Sequence, residues 1–258
     1  MQISLMKKLM ILTAMAMATL CAQAQSDVDA YFTTKEMPDM LKWCPAPPDT
    51  VGAQFSYDII QYMWGKQMRQ NKERAAIAVR DAEYGLDCII REFSGPFGMK
   101  ISKDNTPEIY KLLRDATATC DSICTLPKNY YMRRRPFMRM HEPTLYPQDE
   151  PALRKNGSYP SGHTILGWSS ALLLSEINPD RADTILARGY MYGESRVIVG
   201  AHWQSDVDAG RLAASAAYAR LHTSDRFLEQ MRRARLEYRC KAGLATPAEQ
   251  KAYKKAKK

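Results

Sequence analysis

The sequence is poor in several features that would indicate common classes of protein. After residue 20 no stretch is long and apolar enough to cross a membrane, strand patterns are scarce, and no internal repeat is present. No nucleic-acid-binding motif accompanies the net charge of +9, and no cluster of carboxylates is available to bind a divalent cation. We therefore expect an ordinary soluble globular protein, with neither nucleic acid nor a metal ion as a partner.

The first residues predict a signal for export. Lys7 and Lys8 precede an apolar stretch, Leu9 to Leu20, that is short for a membrane span, and Ala22-Gln23-Ala24 has the small-x-small pattern of a signal-peptidase site. We expect residues 1–24 to be a signal peptide and the mature chain to be periplasmic or secreted. An uncleaved membrane anchor is the alternative.

The remaining chain predicts one all-α domain, a packed helical bundle. Residues 25–50 are interpreted as an irregular N-terminal arm, residues 51–240 as the helical domain, and residues 241–258 as a basic, flexible tail. Within the domain, Phe93–Gly98 is expected to be a loop because it contains Gly95-Pro96. Apolar spacing predicts helices after Thr106, after Gly162 and from His202 to about His222.

Five cysteines remain once the predicted signal peptide is removed: Cys44, Cys88, Cys120, Cys124 and Cys240. In an oxidising compartment some of them should pair, and the odd number leaves at least one unpaired or intermolecular. The sequence does not assign the pairs.

Three short motifs supply the side chains that can carry chemistry. Together they offer three cations, two imidazoles, a carboxylate and a Ser-Gly turn, which are the groups needed to hold a tetrahedral oxyanion, attack it and protonate its leaving group. In order along the chain they are Lys128-x6-Arg135-Pro136, Pro160-Ser161-Gly162-His163, and Ser195-Arg196-x5-His202-x3-Asp206.

The spacing within the motifs suggests how these groups meet. His202 and Asp206 are four residues apart, so on a helix they share a face and the carboxylate can accept a hydrogen bond from the imidazole. His163 follows a Ser-Gly turn that opens a helix, where backbone N–H groups are free to bind an anion.

The three motifs resemble those of the bacterial class A non-specific acid phosphatases, whose superfamily also includes lipid phosphatases (type 2 phosphatidic acid phosphatases) and vanadium haloperoxidases. The runs Phe93–Gly98, Lys155–Thr164 and Glu194–Val207 extend the similarity, which covers roughly residues 45–240. The resemblance implies an all-α fold of the acid phosphatase/vanadium haloperoxidase type. It also implies hydrolysis of small phosphate monoesters without a cofactor, with phosphotransfer when an alcohol accepts the phosphoryl group.

The resemblance further implies a role for each motif residue. His202 is expected to be the nucleophile that forms a phosphohistidine, Asp206 to fix its tautomer, and His163 to protonate the leaving alcohol. The phosphate cage is expected to comprise Lys128, Arg135, Ser161, Gly162 and Arg196. Inorganic phosphate or vanadate should inhibit such an enzyme.

The two histidines must begin in opposite protonation states. We expect the cage to lower the pKa of His163 and Asp206 to raise that of His202, which gives a bell-shaped pH profile with an acidic optimum. Arg133 and Arg134 are expected to face water rather than the mouth of the site, and His141 and His222 to be structural.

Two other functions stay open at this point. A vanadate-dependent haloperoxidase would use the same cage for a different ion, and an exported phosphate-binding protein would keep the cage without turnover. A lipid phosphatase is disfavoured by the lack of membrane helices. The sequence leaves the oligomeric state open, a homo-oligomer included.

Overall fold

The computed structural model describes residues 28–256. The chain divides into two compact units, residues 1–30 and residues 31–258, and almost all of the first lies outside the described residues. The signal peptide predicted at residues 1–24 therefore also lies outside them. The fold described below is that of the second unit.

Residues 28–256 form an all-α structure in which no β-strand occurs, as predicted. Short 3-10 helices at Thr34–Glu36, Ser122–Cys124, Pro147–Asp149 and Pro179–Arg181 connect the α-helices. The α-helices are α1 (Met40–Trp43), α2 (Ala53–Met68), α3 (Lys72–Arg80), α4 (Leu86–Phe97), α5 (Pro107–Asp121), α6 (Thr125–Tyr131), α7 (Pro136–Met140), α8 (Glu150–Leu153), α9 (Gly162–Ile177), α10 (Ala182–Val199), α11 (Gln204–Leu221), α12 (Asp225–Lys241) and α13 (Pro247–Ala256).

Helix α9 is the centre of the bundle and packs against α5, α10 and α11. Twelve of its 16 residues are buried, so it is enclosed on all sides rather than amphipathic. Two glycines allow α9 and α10 to approach closely. A Cβ at Gly167 would lie 2.4 Å from Cδ1 of Tyr192, and a Cβ at Gly189 would lie 2.5 Å from the Cβ of Ala171. The close packing fixes His163 and Arg196, which these two helices carry.

Two expected features of the helices are confirmed. Pro107 opens α5 after Thr106, where its missing N–H costs no hydrogen bond. Helix α9 begins after Ser161, as the Ser-Gly turn predicts. The long connection between Arg135 and Pro160 holds only the short helices α7 and α8 and one 3-10 turn.

The predicted loop at Phe93–Gly98 is wrong. Helix α4 continues through Phe97 and ends at Gly98, which has a left-handed φ of 82°. Pro96 lies in the last turn of the helix, where it removes one N–H donor without blocking further turns. Phe93 and Phe97 are fully buried in the core, and this burial outweighs the local preference of Gly95-Pro96 for a turn.

The C-terminal residues interpreted as a basic tail include helix α13. Glu249 accepts hydrogen bonds from Arg239 of α12 at 3.0 and 3.1 Å, and the Tyr253 hydroxyl donates to Glu237 at 3.0 Å. The flexibility expected for residues 241–258 stays a prediction.

The expected disulfides are absent from the described residues, in which all five cysteines are free thiols. Cys44 and Cys88 contact the hydroxyls of Tyr159 and Tyr192 at 3.2 and 3.4 Å. Four of the five are buried in the core as small apolar side chains.

Within residues 28–256 no helix is long and apolar enough to span a membrane.

Candidate active site

A cavity of about 460 Å³ opens where α5, α6 and α8 meet the N-terminus of α9. Five of the predicted site residues line it: Lys128, Arg135, Gly162, His163 and His202. Its other walls include Tyr84, Asp121, Cys124, Asp149 and Asn156. Residues more than 100 positions apart in the chain therefore meet at one concave surface, as expected of a small-molecule site.

His202 lies just before α11, so the predicted helix start at His202 is wrong by two residues. Its Nε2 accepts a hydrogen bond from Nη1 of Arg135 at 2.9 Å. Because a guanidinium can only donate, this contact makes Nε2 the unprotonated nitrogen and leaves the proton on Nδ1. Nε2 of His202 is therefore unprotonated, and its lone pair accepts from a fixed cation.

Ser158 connects His202 to Asp206 and was missed by the sequence analysis. Its hydroxyl donates to Oδ2 of Asp206 at 2.5 Å and lies 3.3 Å from Nδ1 of His202, which can donate to it. Nδ1 is also 3.4 Å from the same carboxylate oxygen. The expected His202–Asp206 contact therefore exists, with Ser158 as an additional link. Lys155–Thr164, one of the runs that resemble the acid phosphatases, contains Ser158.

Asp206 is held by Arg133, which the sequence analysis expected in solvent. Nη1 of Arg133 donates to Oδ1 of Asp206 at 2.5 Å, and Nη2 donates to Oδ2 of Asp58 at 2.7 Å. The Arg133 side chain is only 9% exposed, because two buried carboxylates flank it. Arg134, by contrast, is exposed as expected.

Arg135, which lines the cavity, is held in place by several hydrogen bonds. Besides contacting His202, it donates to the carbonyls of Leu153 and Ala201 at 2.9 and 3.1 Å and to the Asn156 side chain at 2.9 Å. Burial lowers the pKa of Arg135 to about 10, so it stays charged at neutral pH. Its guanidinium is rigid before any ligand arrives.

Arg196 is fully buried, and its three guanidinium nitrogens have no hydrogen-bond partner within the described part of the chain. Burial lowers its pKa, with Tyr192 and Asp149 opposing this effect. A buried guanidinium without a partner is costly. The charge of Arg196 also lowers the pKa values of both His163 and His202.

Lys128 supplies the third cation. Its Nζ donates to the carbonyl of Gly157 at 3.0 Å, and burial lowers its pKa to about 8. Gly157 is needed for this contact, because a Cβ at that position would lie 2.4 Å from the Lys128 carbonyl oxygen. Lys128 is thus charged in acid and loses its proton in weakly alkaline solution.

Ser161 and Gly162 form the N-terminus of α9. The Ser161 hydroxyl oxygen accepts from the backbone N–H and the side chain of Thr164, at 3.3 and 3.0 Å. Its own hydroxyl proton is not used in either bond. Gly162 lines the cavity, and its N–H lies in the first turn of α9, where such groups lack partners within the helix. Both residues can donate to an anion.

His163 lies one residue further into α9 and packs edge-on against Tyr84, with the ring centroids 4.7 Å apart. Its Nε2 donates to the carbonyl of Ala82 at 2.9 Å. This bond fixes the proton on Nε2 and leaves Nδ1 as the nitrogen that can gain and release a proton.

The pKa values of the two histidines both shift downwards. Burial, followed by the charge of Arg196, lowers the pKa of His163 well below 6.5, in the expected direction. The expected rise for His202 is wrong, because burial and the charges of Arg135 and Lys128 lower its pKa well below 6.5. Asp206 does not reverse this, since its oxygens already accept bonds from Arg133, Ser158 and the Trp203 N–H.

The site lies within a recognised family. Residues 114–227, which contain all eight predicted site residues, match the model of the PAP2 superfamily. A non-specific acid phosphatase from Providencia stuartii is 44% identical over 209 residues, which cover 81% of this chain and 84% of that protein. The chain belongs to the bacterial non-specific acid phosphatases. As a member of this family it is an acid phosphatase. The family expected from the motifs is confirmed.

Other relatives agree with this assignment. A non-specific acid phosphatase from Salmonella typhimurium is 39% identical over 218 residues, covering 84% of this acid phosphatase and 87% of the relative. An acid phosphatase from Zymomonas mobilis is 38% identical over 192 residues, or 74% of this chain and 73% of that protein. The similarity thus extends well beyond the three motifs.

Proposed function

We propose that this acid phosphatase is exported, needs no metal ion, and hydrolyses phosphate monoesters through a phosphohistidine on His202. The observation that carries the proposal is Arg196, a buried guanidinium without a partner in residues 28–256 that acts on both imidazoles. A phosphoryl group between His202 and His163 would supply the missing acceptors.

Substrate binding would bring three cations onto one phosphate. Arg196 can grip two oxygens with its unpaired nitrogens, Arg135 can offer the group that donates to His202 in the free enzyme, and Lys128 contributes a point charge. The Gly162 N–H and the Ser161 hydroxyl add donors at the N-terminus of α9. Phosphoryl transfer spreads charge over the equatorial oxygens, so fixed donors stabilise its transition state. These cations supply the charge that Mg²⁺ supplies at other phosphoryl-transfer sites.

In the first chemical step, Nε2 of His202 attacks phosphorus. A bond forms between this nitrogen and phosphorus while the bond to the ester oxygen breaks. The Arg135 group that donates to Nε2 in the free enzyme would turn to a phosphate oxygen. Nδ1 keeps its proton and shares it with Ser158 and Asp206, which stabilises the positive charge of the phosphorylated ring.

His163 would protonate the departing alkoxide from Nδ1. Its pKa is lowered in the free enzyme, but the negative charge of a bound phosphate favours the imidazolium and opposes the effect of burial. In the second step water attacks the phosphohistidine, His163 takes up the water's proton, and inorganic phosphate leaves. An alcohol in place of water gives phosphotransfer by the same route.

Export rests on the sequence alone. The basic start, the short apolar stretch and Ala22-Gln23-Ala24 support a signal peptide that directs the enzyme to the periplasm or beyond. Mass spectrometry of the enzyme recovered from the periplasm, with a mature N-terminus near Gln25, would support this, whereas an intact Met1 in the cytoplasm would refute it.

Turnover of p-nitrophenyl phosphate in excess chelator tests the catalytic proposal. We expect undiminished activity with chelator and loss of at least about 1,000-fold in His202→Ala. His141→Asn is the matched control, because His141 is exposed at the end of α7. Equal activity in the wild type and His202→Ala would overturn the nucleophile assignment, and loss of activity with chelator would overturn metal independence.

A further inference from the structure

We infer that Arg133 and Asp58 are positioning residues for phosphoryl transfer, which act through Asp206. They hold the carboxylate behind His202 in one orientation and reduce its tendency to draw a proton onto the nucleophile. This inference rests on the proposed role of His202 as nucleophile and goes beyond it, because neither residue contacts the cavity.

The geometry is that of a buried chain of alternating charges. Arg133 bridges Asp206 at 2.5 Å and Asp58 at 2.7 Å, and donates to the Ser205 hydroxyl at 2.8 Å. Asp58 in turn accepts from the Ser205 backbone N–H at 2.8 Å and from its hydroxyl at 2.6 Å. The chain therefore ties α2 to the first turn of α11, next to His202.

Burial makes this chain expensive unless its geometry is complete. Both carboxylates are fully buried and the Arg133 side chain is 9% exposed. Ion pairs at such depth seldom add stability over apolar side chains of the same size. A fully hydrogen-bonded chain directly behind a catalytic pair is consistent with positioning, since stability alone would favour an apolar replacement.

Arg133 determines which oxygen of Asp206 is available. It occupies Oδ1, while Oδ2 receives the Ser158 hydroxyl and the Trp203 N–H and lies 3.4 Å from Nδ1 of His202. Without Arg133 the carboxylate could rotate, and both oxygens would compete for the His202 proton. Small displacements of a catalytic group cost up to about 100-fold in rate.

Charge is the second part of the inference. His202 is faced by Lys128 of α6, by Arg135 before α7, by His163 of α9, by Arg196 of α10 and by Asp206 of α11. Among these groups only Asp206, which is negatively charged, favours the imidazolium. The positive charge of Arg133 offsets the negative charge of Asp206. Removing Arg133 would therefore raise the pKa of His202. Nε2 would then be protonated, and unable to attack, over more of the acid range. When the charge of Asp58 is removed, Arg133 acts on Asp206 alone. The pKa of His202 should then fall.

Two variants with opposite expected effects test this inference on one substrate, so that the titration of the substrate cancels. In Arg133→Met we expect kcat to fall 10- to 100-fold and the acid limb of the kcat profile to move up by about one pH unit. In Asp58→Asn the acid limb should move to lower pH. Arg134→Met is the matched control and should retain the wild-type profile, because that side chain is exposed.

A double variant covers the case in which Arg133→Met does not fold. Asp58→Asn/Arg133→Met removes one charge of each sign, so no net buried charge is added. The acid limb of its kcat profile should still lie at a higher pH than that of the wild type. Unshifted acid limbs in all folded variants would overturn the inference. His202→Ala measured alongside separates the two proposals, because turnover in that variant would refute the nucleophile itself, whatever the Arg133 variants do.

Discussion

Nη1 of Arg135 lies 2.9 Å from Nε2 of His202, so a cation donates to the nitrogen that we propose as nucleophile. The contact directs the lone pair of Nε2 at the Arg135 guanidinium in the free enzyme. It also excludes a second proton from the ring, because Nε2 cannot donate to a guanidinium. In the proposed mechanism, phosphate binding and activation of the nucleophile therefore depend on the same arginine.

Arg196, whose guanidinium has no hydrogen-bond partner within residues 28–256, predicts an unusual response of stability to phosphate. In the wild type, phosphate at about 100 times its Kd should stabilise the fold by about 2.7 kcal/mol. Arg196→Met should reduce this gain sharply and make the phosphate-free protein more stable, by about 1–3 kcal/mol, because it removes a buried charge that lacks acceptors. Thermal unfolding with and without phosphate measures both effects.

Arg74→Met is the control for this experiment. Arg74 donates to the Ser195 hydroxyl and the Met191 carbonyl at 3.0 and 3.1 Å, so its loss should destabilise the protein and leave the phosphate effect intact. A phosphate response in Arg196→Met equal to that of the wild type would contradict the account of the cage.

Lys128 predicts the pH dependence of phosphate binding. Burial lowers its pKa to about 8, so in the free enzyme its charge is present below pH 8 and is lost above it. Phosphate affinity should therefore fall as pH rises through 8, and Lys128→Arg should move this fall to higher pH. Calorimetric titration from pH 6 to 9.5 tests it, with exposed Lys155→Arg as the control. An affinity that stays constant to pH 9.5 would be incompatible with this role.

Ser158 predicts a change in turnover without a change in binding. Ser158→Ala removes the link between His202 and Asp206, and because Ser158 does not line the cavity, kcat should fall about 10-fold with KM little changed. Ser170→Ala is the control, since that buried hydroxyl only donates to the Leu166 carbonyl at 2.7 Å. A kcat equal to that of the wild type would remove Ser158 from the mechanism.

The lowered pKa values of the histidines predict an acidic optimum. His202 must be neutral to attack, and burial places its pKa well below 6.5, so the acid limb lies below that pH. His163 must be protonated in the complex, and activity falls as pH rises and this proton is lost. The profile of kcat, which reports the protonation states in the complex, should therefore be bell-shaped with its maximum below pH 7. An optimum above about pH 8 would contradict both assignments.

Much of the fold, and the meeting of five predicted site residues at one cavity, could be predicted because the signals are local. The cap formed by Ser161 reaches only to the N–H of Thr164, three residues on, and the apolar spacing in α9 spans only a few turns. The Ser158–Asp206 and Asp58–Arg133 contacts join residues 48 and 75 positions apart, and a serine or an arginine run carries no sign of such a partner. The predicted rise in the pKa of His202 was wrong for a related reason. The lowering is caused mainly by burial, and burial depends on the assembled fold.

The most direct test of the central claim is to locate the phosphoryl group after rapid quenching of the enzyme with substrate. Mass spectrometry of peptides prepared under alkaline conditions, where phosphohistidine survives, should find the phosphate on His202 in the wild type. The phosphorylated peptide should accumulate in His163→Ala with an activated aryl phosphate, and it should be absent in His202→Ala. Phosphate on another residue, or turnover with no phosphorylated enzyme under any of these conditions, would contradict the account.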